Sequence, residues 1–162
     1  MKAFLSALHR TAALMNIVGG IVLILIMLLT AADVLLRLFG RPITGTYELV
    51  ALGGAMVVGF AIPQTTNDNA NVAVEFFVEG RSKRIRDIMF VFSKGLGIVL
   101  FVLLGLFLCE KANGLYKDGF VTSTLKVPFY AVAYGLSFCC FVESLTLLGQ
   151  IVGRFGGEVE DE

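Results

Sequence analysis

Four long runs of apolar residues alternate with short polar segments, and they set the architecture before any single motif is considered. The runs cover about residues 12–36, 47–65, 88–109 and 127–152. Each reaches the roughly 20 residues needed to cross about 30 Å of hydrocarbon as a helix. The pattern predicts an all-α integral membrane protein with four transmembrane helices, forming a single domain over residues 1–162. A fifth, weaker pattern lies between the second and third runs. Val74, Phe77, Val78, Ile85 and Ile88 recur at helical spacing, with Glu75, Glu79, Lys83 and Arg86 opposite. It predicts an interfacial amphipathic helix over about residues 71–87. After Gly156 and Gly157, four acids in the five positions 158–162 read as a solvated tail.

Composition agrees with the pattern: 57% of residues are hydrophobic and only 16% charged, against about a quarter charged in a soluble domain. The N-terminus has Lys2 and Arg10 before an apolar run, but that run is too long for a signal peptide and a hairpin follows at once. It is read as a retained first helix. A formal net charge of zero offers no footprint for nucleic acid.

Lys and Arg number seven on the side of the termini (Lys2, Arg10, Arg81, Lys83, Arg84, Arg86, Arg154) and five on the other (Arg37, Arg41, Lys111, Lys117, Lys126). Lys94, just inside the third span, widens this to eight against five. The bias predicts both termini in the cytoplasm.

Helix packing is foreshadowed by small residues. Ala51, Ala55 and Gly59 share a face of the second span, broadened by Gly53 and Gly54. Ser93, Gly97 and Gly105 do so in the third, and Ala131, Gly135 and Cys139 in the fourth. Such stripes let backbones approach closely in lipid. Pro63 predicts a kink or an end to the second helix, with Gln64 to Asn69 as its exit. Asn113-Gly114 and Asp118-Gly119 predict turns after the third.

Charges near or inside the spans are the candidate functional groups. Asp33 and Arg37, four residues apart, lie on one helical face; Arg41-Pro42 breaks the helix, and Glu48 opens the next run within reach of Arg37. These residues either latch the hairpin by charge or mark the membrane surface. Glu143 continues the Ala131, Gly135, Cys139 row and so faces protein. Lys94 and Glu143 lie about 9 and 14 Å deep from the terminal side at 1.5 Å per residue, and could pair. An intramembrane ionisable residue is a functional candidate by default. A lone carboxylate beside a lysine provides no relay across the membrane, which favours an ion pair or a subunit contact. The three cysteines (Cys109, Cys139, Cys140) form no Cys-x-x-Cys, and His9, the lone histidine, precedes the first span. No catalytic, cofactor-binding or metal-binding residue is predicted, and the chain is not read as an enzyme.

Several motifs occur along the chain in a definite order and spacing. Val34-Leu35-Leu36-Arg37, Gly40-Arg41-Pro42 and Tyr47-Glu48-Leu49 stand at the first hairpin. Asn71-Val72-Ala73-Val74-Glu75-Phe76-Phe77 stands in the middle loop, and Thr124-Leu125-Lys126-Val127-Pro128 precedes the last span. From Ala12 to Val152 the chain resembles the small permease subunit of TRAP (tripartite ATP-independent periplasmic) transporters, the DctQ-like family. Asn71 and Glu75 replace the histidine and aspartate usual in the family's loop pattern.

The resemblance implies a small, non-catalytic subunit in the bacterial inner membrane, in contact with membrane lipid and taking part in uptake of an organic acid. It would act as scaffold for a large permease subunit that carries the substrate and sodium sites. A periplasmic substrate-binding protein would deliver the solute. Asp33, Arg37, Arg41, Glu48, Lys94 and Glu143 are then structural or partner-interface residues. The alternatives are a self-sufficient proton-coupled exporter, a dimer of four-helix protomers with Glu143 as coupling carboxylate, and a thiol or quinone oxidoreductase, which the lack of paired cysteines disfavours.

Overall fold

The computed structural model describes residues 2–68 and 83–155, with side chains described from 6 to 68 and from 88 to 153. Four helices occupy them: α1 (Lys2–Leu38), α2 (Thr46–Asn67), α3 (Lys83–Lys117) and α4 (Phe129–Phe155). All four are long and apolar enough to span a membrane. The surface helix over 71–87 falls largely outside the described residues; where they resume, Lys83 already belongs to α3. The middle-loop motif at 71–77 and the acidic tail at 156–162 also lie outside them.

The helices run past the apolar limits that hydropathy predicts, except that α4 starts two residues inside its limit, at Phe129, because a helix stops where its backbone is capped and not where it leaves lipid. At the end of α1, Gly40 adopts φ 72°. The Arg41 N–H donates to the Leu36 carbonyl at 3.0 Å and the Gly40 N–H to the Arg37 carbonyl at 3.1 Å. This left-handed glycine closure satisfies carbonyls the helix would leave bare, and the proline follows it. Gly119, φ 61°, closes α3 in the same way, with Phe120 N–H on the Leu115 carbonyl at 3.1 Å. Asp118-Gly119 is thus the turn, whereas Asn113-Gly114 stays inside α3. Pro63 does not end α2, which continues to Asn67. A proline lacks only its own N–H, and its ring here is fully buried.

The helices form two hairpins, α1–α2 and α3–α4, joined through α2 against α4. The beginning of α2 meets the loop before α4, and its end meets the C-terminal half of α4. These two helices therefore run parallel, and both termini share one end of the bundle. Among the described residues α3 packs on α4 and on no other helix, while α1 packs chiefly on α2. The neighbour order is α1, α2, α4, α3. Accordingly 39% of the most apolar window of α4 is buried but only 6% of that of α3, which leaves α3 clad in outward-facing side chains.

Small residues make the seams. A Cβ on Gly53 would stand 2.7 Å from Ile26 Cγ2, and one on Gly59 2.7 Å from Leu136 Cδ2. Gly97 and Gly105 face Leu147 and Phe141 of α4, where the Ser137 hydroxyl donates to the Gly105 carbonyl at 2.8 Å. Ala51 of the predicted stripe is exposed. A β-branched side chain is stiff in a helix, so Ile26 cannot swing aside for a larger residue at position 53. Gly53→Ile is expected to destabilise the detergent-solubilised protein by about 1–3 kcal/mol, as overpacking does. Gly54→Ile, whose Cβ meets nothing within 4 Å, is expected to change thermal unfolding little.

Candidate functional site

Two polar clusters stand out, one at each end of the bundle. At the end away from the termini, Asp33 is 4% exposed although it carries a charge. Its Oδ2 accepts from Arg37 Nη2 at 2.6 Å, the i,i+4 spacing placing them on one face. Its Oδ1 accepts from the Ile43 N–H at 2.8 Å, which ties the loop back to α1. The Arg37 guanidinium also lies 5.8 Å from the centroid of the Tyr47 ring, within cation–π range. One carboxylate therefore holds the end of α1, the loop and, through Arg37, the first turn of α2. Arg41 is at the surface, and its backbone helps to close α1.

Glu48 lies beside this latch but serves the other hairpin. Its Oε1 accepts from the Thr124 N–H at 3.0 Å and its Oε2 from the Leu125 N–H at 3.2 Å. The predicted reach toward Arg37 is replaced by this bridge of 76 residues in sequence, because two converging backbone N–H donors offer a carboxylate a fixed cradle. The loop presents them through a turn of its own. Thr122 N–H donates to the Val127 carbonyl at 3.0 Å, Val127 N–H to Thr122 Oγ1 at 2.9 Å, and Lys126 takes φ 53°. Leu125 sits over Gly45, where a Cβ would stand 2.6 Å from its Cγ.

At the terminal end the α2–α4 seam holds a second carboxylate. Glu143 is 2% exposed and accepts from the Thr66 hydroxyl at 2.7 Å, while its Oε2 has no hydrogen-bond partner among the described residues. The Gln150 amide donates to the Thr66 carbonyl. The Lys94 ammonium lies 5.6 Å from the Phe90 ring centroid. Thr66, absent from the sequence-based candidates, is the pivot here. The polar run from Gln64 to Asn69 reads as an exit from the membrane, yet Thr66 is as buried as Glu143.

Among the described residues no group of three or more His, Cys, Asp or Glu is placed to hold a metal. Cys139 and Cys140 are buried within α4 and, like Cys109, are free thiols. The polar groups join helices and loops within one chain.

The model of the family described as tripartite ATP-independent periplasmic transporters, DctQ component, matches residues 26–157. The chain belongs to this family. No curated protein and no solved structure gave a match. The match spans both clusters and all four helices from the middle of α1 onward, so the DctQ component is defined over the region that contains Asp33, Glu48, Lys94 and Glu143. A DctQ component is the small membrane part of a TRAP transporter, a multi-pass transporter protein whose partners are a large permease and a substrate-binding protein.

Proposed function

We propose that this DctQ component is a non-catalytic scaffold: it packs beside a large permease subunit that carries the substrate and sodium sites, for sodium-driven uptake of an organic acid that a periplasmic binding protein delivers. The observation that carries this reading is the distribution of polar groups. Asp33, Glu48, Thr66 and Glu143 are engaged in joining helices and loops, whereas the outer helices turn apolar residues such as Val99, Leu103 and Phe107 outward. Such a chain adds rigid membrane-embedded surface to another subunit. Family membership gives no support to a self-sufficient exporter built on Glu143.

The test is to extract the chain from its native membrane in mild detergent and identify what copurifies stoichiometrically. A single large multi-span partner is expected; a chain that purifies only with itself would overturn the scaffold reading. Within the complex, Glu48→Ala is expected to lower both the yield of assembled complex and transport. Glu48→Gln, which keeps an acceptor for one of the two N–H groups, should lie between it and wild type. Full assembly with abolished transport in Glu48→Ala would instead assign Glu48 a direct mechanistic part.

The same reading places the protein in the bacterial inner membrane with both termini cytoplasmic. In a background without the three native cysteines, Ser6→Cys should react with a membrane-impermeant maleimide only after lysis, and Lys117→Cys in intact spheroplasts. The reverse pattern would invert the topology.

A further inference from the structure

The end of the bundle that carries both termini has a feature the scaffold role does not use. A cavity of about 120 Å³ opens between α1, α2 and α4, lined by Leu8, His9, Asn67, Thr146, Gly149 and Gln150. His9 also lines a broader depression of about 580 Å³, with Ser6, Arg10 and Ala13. A single water needs only about 10–15 Å³ of such space, so the cavity has room for a larger polar group.

Its level in the membrane follows from helix length. About 20 residues cross the hydrocarbon. Counted from Thr46 along α2 they end at Thr65, and from Phe129 along α4 at Leu148. Asn67, Gly149 and Gln150 therefore stand just beyond the acyl region, with His9 and Arg10 of antiparallel α1 beside them. This is headgroup depth.

The lining includes an unsatisfied donor. Asn67 Nδ2 is buried and has no hydrogen-bond partner among the described residues, a costly condition that an acceptor would relieve. The Thr146 hydroxyl already donates to the Val142 carbonyl at 3.0 Å, and Oδ1 of the neighbouring Asp68 accepts from Gln64 Nε2 at 2.8 Å. His9, exposed at the mouth, adds an imidazole, and Arg10, exposed beside it in the adjoining depression, adds a permanent cation. Below Arg10, on the same face of α1, Leu14, Ile17, Ile21, Ile24 and Leu28 are all more than half exposed. They recur at the three- and four-residue steps of one helical stripe. A cation above an apolar track of about 21 Å, longer than the roughly 15 Å of one leaflet's hydrocarbon, matches an amphiphile better than a free anion.

We propose that this end of the protein binds an anionic phospholipid. Arg10, His9 and the Asn67 amide hold its phosphate, and an acyl chain lies along the Leu14 to Leu28 stripe. Basic pockets between helices at the membrane surface are suited to such headgroups, and a phosphate oxygen accepts charge-assisted hydrogen bonds.

The experiment uses the full chain with whatever subunit copurifies, stripped of lipid in a neutral detergent, and measures binding by native mass spectrometry and thermal shift. The probes are dioleoylphosphatidylglycerol, dioleoylglycerol, which has the same chains without phosphate, and inorganic phosphate. Saturable binding of the phosphatidylglycerol is expected, at least tenfold weaker for Arg10→Gln combined with Asn67→Asp. Lys111→Gln, which removes one positive charge at the opposite end as Arg10→Gln does at this one, should leave it unchanged. Arg10→Gln alone, at an exposed position, gives a readout that does not depend on the buried amide and should weaken binding severalfold. Equal affinity of the wild type and both variants would overturn the proposal. So would equal binding of dioleoylglycerol, which would leave the phosphate no role, or equal protection by inorganic phosphate, which would make the site one for an aqueous anion.

Discussion

Glu143→Ala should lower the stability of the detergent-solubilised protein by about 2–4 kcal/mol, with Glu143→Gln losing less than half as much. Glu143 is 2% exposed and accepts the Thr66 hydroxyl at 2.7 Å across the α2–α4 seam. Alanine removes that acceptor and leaves a cavity where the side chain was, and each loss costs on the order of 1–3 kcal/mol in a packed interior. Glutamine fills the same volume and keeps an oxygen for Thr66. A cycle with Thr66→Val isolates the contact: the double variant Glu143→Ala, Thr66→Val should be more stable than the sum of the single losses by about 0.5–3 kcal/mol. Additive losses would mean that the hydrogen bond contributes nothing and the cost is cavity alone. Transport separates structure from mechanism. If Glu143 only joins α2 to α4, the glutamine variant transports at the wild-type rate. Loss of transport from a fully assembled glutamine complex would make the carboxylate a coupling group and sink the structural reading.

The difference between what could and could not be read from the chain lies in whether an interaction has a local signature. Asp33 and Arg37 are one helical turn apart, so their pairing is written into the spacing. Glu143 follows Ala131, Gly135 and Cys139 at four-residue steps, and its inward orientation follows from that row. The four spans emerge because hydrocarbon thickness imposes a length on any apolar helix. Glu48, in contrast, finds its partners 76 residues away in the N–H groups of Thr124 and Leu125. Every residue but proline offers an N–H, so no side-chain pattern announces that cradle, and the nearest cation in sequence, Arg37, is the obvious but different choice. Thr66 was obscured by its company. In a run of Gln, Thr, Asn and Asp it looks solvated, while its burial depends on α4 packing over it. The helix ends depend on Gly40 and Gly119 in left-handed conformations, which hydropathy does not register.

The first hairpin should respond to substitution of Asp33 in a definite order. Two bonds converge on its carboxylate, the Arg37 guanidinium on Oδ2 at 2.6 Å and the Ile43 N–H on Oδ1 at 2.8 Å. Asp33→Ala removes both acceptors and leaves a backbone donor and a cation at the membrane edge. Asp33→Asn retains an oxygen for Ile43 but loses the ion pair. Arg37→Gln keeps Asp33 bonded to the loop and forfeits the charge and the contact with Tyr47, 5.8 Å away. Thermal unfolding and yield of assembled complex should therefore fall least for Arg37→Gln, more for Asp33→Asn and most for Asp33→Ala. The half-exposed Arg37 explains the ranking: its side chain is 50% accessible and remains hydrated without its partner, whereas the 6% accessible Asp33 carboxylate is the inner half of the pair. Removing the outer charge is cheaper than removing the acceptor that holds the loop. The alternative, that these residues only mark the membrane surface, predicts near-equal small losses for all three, because any polar side chain can report the interface. Equal melting curves would therefore replace the latch by a simple boundary. A drop confined to Asp33→Ala would assign the hairpin's order to the Ile43 hydrogen bond and leave the ion pair incidental.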